Sequence, residues 1–81
     1  MNRVKTEKVV FTFPTTTQAL RMEQKARERG SLGRLIPVPR EISAGCGMAW
    51  SAPAAEREKL EQLAREHNIQ TEGVHKLFLR G

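Results

Sequence analysis

Apolar positions fall into four short runs and two longer stretches with helical spacing. Lys8 to Phe13 (KVVFTF) is a β-branched and aromatic run of strand length. Its Val9, Phe11 and Phe13 share one face by the two-residue period of a strand. Residues 1–7 are polar and patternless and read as a frayed lead-in. Pro14 ends the strand. Thr15-Thr16-Thr17-Gln18 then reads as a helix start, with Thr15 as cap and Gln18 completing a capping box. This helix is expected to run to Arg29, with Ala19, Leu20, Met22 and Ala26 on its buried side. Gly30, which adopts a left-handed conformation cheaply, stops it.

Gly33 to Val38 (GRLIPV) is the second apolar run. Pro37 has no N–H to give a central ladder, so this strand belongs at a sheet edge. Pro39 to Gly47 (PREISAGCG) is a loop with two glycines and a cysteine. Met48 to Ser51 (MAWS) is a third short strand, and Pro53 suits the first turn of a second helix. In that helix Leu60, Leu63, Ala64 and His67 follow the spacing of a buried stripe. Glu56 and Glu58 favour its positive N-terminal end, and Asn68 closes it. Gly73 to Leu79 (GVHKLFL) is the last strand. The order β-α-β-β-α-β predicts an α+β fold, a ferredoxin-like two-layer sandwich. It has a four-stranded antiparallel sheet, with the first and third strands central and two helices on one face.

The 81 residues allow one domain spanning 1–81. Hydrophobic residues at 38% and charged residues at 28% suit a globular chain. No apolar run approaches the roughly 20 residues of a membrane span, and the N-terminus lacks a secretory pattern. The expected placement is cytoplasmic, with no membrane partner. Fourteen Lys+Arg against nine Asp+Glu give a net charge of +5, which favours an anion or an acidic partner if it is more than a solvated surface. The single cysteine, Cys46, excludes an intrachain disulfide. With His67 and His75 it supplies three zinc-type ligands, one short of a closed structural site, so no metal is expected.

In the predicted topology the loop before the third strand lies at the same end as the start of the first helix. Cys46 should therefore approach the unpaired amides around Thr15 and Thr16, where a helix N-terminus favours an anion. The thiolate is the nucleophilic form of cysteine. Arg40 on the same loop adds a full positive charge, and Ser43 adds a donor. Gly45 and Gly47 leave the backbone around the sulfur uncovered and can form an anion-binding nest. These features favour an accessible, reactive sulfur over the small buried hydrophobe that most free cysteines are. Each neighbour also has a plainer role. The glycines would make a tight hairpin, and Arg40 and Glu41 would pair with each other or with solvent. His67 reads as a margin residue of the core, His75 as a surface or half-buried residue, and Trp50 as core.

PVPREISAGCG followed by Met48 and a short strand resembles the signature of the selenium/sulfur carrier protein-like family, a small bacterial and archaeal family. The LIPVPREIS run, the Cys-Gly pair and the closing Glu-Gly-Val-His-Lys-Leu fall in that family's order over nearly the whole chain. The resemblance implies that Cys46 carries sulfur or selenium covalently, with no other cofactor. Pro39, Arg40, Ser43 and Gly47 match the surrounding motif. It implies a carrier rather than a turnover enzyme, with a cysteine desulfurase or other sulfur or selenium donor protein and an acceptor protein as partners. The alternative is a non-catalytic binding or dimerisation module of the same fold, with a homodimer through an edge strand as one form. Nucleic acid is disfavoured, since the aromatic signature that stacks bases is missing.

Overall fold

The computed structural model describes residues 5–42 and 46–79. Strand β1 (Thr6–Thr12) leads to helix α1 (Thr16–Glu28), then β2 (Arg34–Pro37) and β3 (Met48–Pro53). A short 3-10 turn (Ala54–Glu56) enters helix α2 (Arg57–Glu66), and β4 (Gly73–Leu79) closes the described chain. The four strands form one sheet in the order β2-β3-β1-β4, antiparallel throughout. This is the predicted ferredoxin-like sandwich, with β1 and β3 central and β2 and β4 at the edges.

Directly paired residues share a face of the sheet. The row Leu35–Trp50–Phe11–Val74 therefore points one way, and the row Arg34–Ser51–Val10–His75 the other. The first face carries the main core. Val9, Phe11, Phe13, Trp50 and Ala52 meet Ala19, Met22 and Ala26 of α1 and Leu60, Leu63 and Ala64 of α2. The second face has a smaller cluster of Val10, Ala49 and Ile42, edged by Ile36, Val38, Leu77 and Leu79.

Several local expectations need correction. Strand β1 begins at Thr6 rather than Lys8, because Thr6 and Glu7 pair with Leu79 and Phe78 of β4. Ladder partners extend the strand beyond its apolar run. Leu20 is 51% exposed. The buried stripe of α1 is Ala19, Met22 and Ala26, and Leu20 lies one residue, about 100°, around the helix from Ala19. The capping box is half formed. Thr15 Oγ1 accepts from the Gln18 amide at 3.3 Å, while the Gln18 side chain accepts from the Gln70 amide at 3.1 Å. Pro53 is not in the first turn of α2 but caps the 3-10 turn that precedes it. It is the last residue of β3, opposite Lys8, with extended ψ of 144°, so the helix proper starts at Arg57.

Gly30 (φ +70°) and Asn68 (φ +53°) end the two helices in the left-handed conformation, as expected. Arg29 at the end of α1 pairs with Glu66 in the last turn of α2. That guanidinium, by donating to the carboxylate, holds Glu66 below the usual carboxylate range. A lowered folded value stabilises the protein above the ordinary carboxylate range. That support fades as pH falls through the lowered value, and it is small at an exposed pair.

Candidate functional site

Strand β1 rises to Thr12, and β3 descends from Met48, so Ala49 lies opposite Thr12. Helix α1 starts at Thr16, four residues beyond the end of β1. The β2–β3 loop, the start of α1 and the α2–β4 loop thus gather at one end of the sheet, as the topology requires. This end is tied together. Arg21 of α1 donates to the carbonyls of His67 (2.7 Å) and Asn68 (3.4 Å). The Gln18–Gln70 bond described above adds a second link between α1 and the α2–β4 loop. The Glu72 amide donates to Thr12 O at 2.6 Å.

The β2–β3 loop closes as a hairpin, with the Val38 amide donating to Gly47 O at 3.1 Å. The Ile42 amide donates to Pro39 O at 3.0 Å, a turn that sets Arg40 and Glu41 at its exposed centre. Among the described residues Arg40 and Glu41 form no ion pair with each other. Ile42 is buried and packs with Val10 and Ala49 on the helix-free face. Cys46 is half-buried and packs against the helix-side core. The two ends of the loop therefore grip opposite faces of the sheet.

The Cys46 thiol donates to Met48 O at 3.4 Å. Among the described residues no hydrogen bond joins Sγ to the amides of α1. Thr15 and Thr16 are exposed at the same end of the sheet, with Thr15 acting as the N-cap. Gly47 is exposed at φ +81° with open space where a Cβ would stand, and its carbonyl closes the hairpin. Ser43 and Gly45 lie outside the described residues. His67 caps α2 half-buried, His75 is half-buried on β4, and Trp50 is fully buried, all as read from the pattern.

Ile42 is the residue that sequence reasoning missed. Its signal was present, since it is the one aliphatic side chain in a stretch of Pro, Arg, Glu, Ser and small residues. Ile42→Val should cost about 1 kcal/mol of stability. It should also speed alkylation of Cys46, because the anchored side of the loop loosens. Iodoacetamide labelling followed by mass spectrometry would show this, and an unchanged rate would mean the anchor does not govern the thiol.

A cleft of about 590 Å³ lies between α2 and β4, floored by Phe11 and Val74 and walled by Ala64, Arg65, Asn68 and Thr71. Cys46 does not line it. Among the described residues no cluster of three or more His, Cys, Asp or Glu side chains is placed to hold a metal. No helix among them is long and apolar enough to cross a membrane.

The family described as "Putative Se/S carrier protein-like" matches residues 8–76, from the start of the apolar run in β1 to the middle of β4. The chain belongs to that Se/S carrier protein-like family. No curated protein and no solved structure matches it. Within the matched span the chain's one thiol stands at the rim of the sheet, on the loop anchored by Ile42.

Proposed function

We propose that this Se/S carrier family member holds a sulfur or selenium atom on Cys46 as a persulfide or selenopersulfide and delivers it to an acceptor protein. The supporting observation is the placement of Cys46, the chain's single cysteine, within the family-matched residues. It is partly exposed, and its one hydrogen bond among the described residues is a weak one to a main-chain carbonyl.

Loading is exchange between sulfurs. The Cys46 thiol loses its proton to solvent. The resulting thiolate attacks the terminal sulfur or selenium of a persulfide or selenopersulfide on the donor. The donor's own S–S or S–Se bond breaks, and its thiolate leaves and takes up a proton. No net oxidation or reduction occurs, and delivery to the acceptor is the same step in reverse roles. With no second cysteine in the chain, the adduct has no internal thiol to resolve it as a disulfide. Arg40 on the loop and the start of α1 at Thr15 and Thr16 are the positive groups to which this reading assigns stabilisation of the anionic adduct. Ser43 and the amides of Gly45 and Gly47 are the further donors this reading assigns to it.

The test is intact mass after incubation with a cysteine desulfurase and its cysteine substrate. The wild-type chain should gain the mass of one sulfur atom, removable by a thiol reductant, and Cys46→Ser should gain none. An adduct retained in Cys46→Ser, or a wild-type chain that never loads, would remove the carrier reading and leave a binding module.

A further inference from the structure

The charges of this molecule are divided by the sheet. In the helical layer Lys25–Glu28, Arg27–Glu23, Arg29–Glu66, Arg57–Glu61 and Lys59–Glu56 neutralise one another. The one acidic residue within a strand, Glu7, shares the face of Val9 and Phe11 and pairs with Lys76. The opposite face receives Lys8, Arg34 and His75 and, from the strands, no carboxylate. Arg34 is exposed, and among the described residues it has no acidic partner. Around these residues Ile36, Val38, Leu77 and Leu79 are half-buried over the Val10–Ala49–Ile42 cluster.

We propose that the helix-free face of the sheet docks an acidic, leucine-bearing segment of a partner protein. The inference goes beyond the carrier reading and holds whatever Cys46 carries. A basic face with an apolar floor is complementary to carboxylates interspersed with aliphatic side chains. A single-stranded nucleic acid is a poorer fit, because base stacking needs exposed aromatics. Here Phe11, Phe13 and Trp50 are buried on the helix side, and Phe78 shares the face of Glu7. A second copy is also a poorer fit, since a two-fold contact would set this basic patch against itself.

The experiment titrates the full isotope-labelled chain with a synthetic peptide of alternating Glu and Leu and follows amide shifts by NMR. Shifts should concentrate at Arg34, Ser51, His75 and Leu77, and binding should weaken as salt rises. Arg34→Glu should weaken it about tenfold, equivalent to about 1.4 kcal/mol. Leu77→Glu should produce a similar loss from the other edge of the sheet. Arg65→Glu makes the same charge change at an exposed cation of α2 and should leave affinity nearly unchanged.

The proposal falls if the shifts spread equally over α1 and α2, or if Arg65→Glu weakens binding as much as Arg34→Glu. It falls equally if an oligouridylate binds this face more tightly than the peptide, or if light scattering shows a dimer whose contact is this face. None of these readouts needs sulfur on Cys46, so failure here and failure of the carrier reading are told apart.

Discussion

Trp50→Ala should remove a large fraction of the chain's stability. Trp50 is the largest fully buried side chain, held between Phe11 of β1 and Leu35 of β2 at the centre of the helix-side face. Truncating a buried tryptophan costs about 3–5 kcal/mol. A domain of this length has a total stability on the order of 4–12 kcal/mol. One term works the other way. The indole Nε1 is buried without a hydrogen-bond partner among the described residues, and that burial already costs stability. The loss should therefore fall toward the lower part of the range, still a large fraction of the whole. Urea unfolding followed by far-ultraviolet circular dichroism gives the value. A shift under about 1 kcal/mol would mean that the indole is not packed at the centre of the core.

Gly33→Ala should cost nearly as much, for a different reason. Gly33 sits at φ +145°, a region side-chain-bearing residues rarely enter, and a Cβ there would come within 2.7 Å of Trp50 Nε1 and 2.8 Å of Ser51 O. Backbone strain of about 1–3 kcal/mol adds to overpacking of a similar size. The Ser51 carbonyl belongs to β3, directly opposite Arg34, and cannot retreat without disturbing the β2–β3 pairing. The indole can retreat or be removed. In a Trp50→Phe background the penalty of Gly33→Ala should shrink but not vanish. The two sites should show a coupling of about 0.5–3 kcal/mol in a double-mutant cycle. Strict additivity would show that the added methyl does not meet the indole.

Gly33 also marks where pattern reading ends. The apolar run GRLIPV suggested a strand that included this glycine. The missing room for a Cβ there is set by Trp50 and Ser51 on the neighbouring strand, which no local pattern reports. The element order, the central and edge strands and both helix ends were legible, because they rest on local periodicity, capping chemistry and proline's missing donor. What failed was set by partners distant in sequence. Strand β1 starts early because β4 pairs with it, Pro53 remains extended because β1 does, and Gln18 turns from its own cap to the Gln70 amide.

The candidate site divides along the same line. Placing Cys46 at the end of the sheet shared with α1 needed only the topology. That its loop is clamped by Ile42 on the far side required knowing that Ile42 packs on Val10 and Ala49, a contact between residues distant in sequence that no local pattern reports.

The two outer borders of the sheet are unequal. On one side β2 has four residues and ends in Pro37, which cannot donate to an incoming chain. On the other, β4 offers seven residues, with Phe78 60% exposed. Any lengthening of the ladder, whether by a visiting peptide or by faulty self-association at high concentration, is thereby channelled to the β4 margin. Solubility can be tuned there without touching the sulfur.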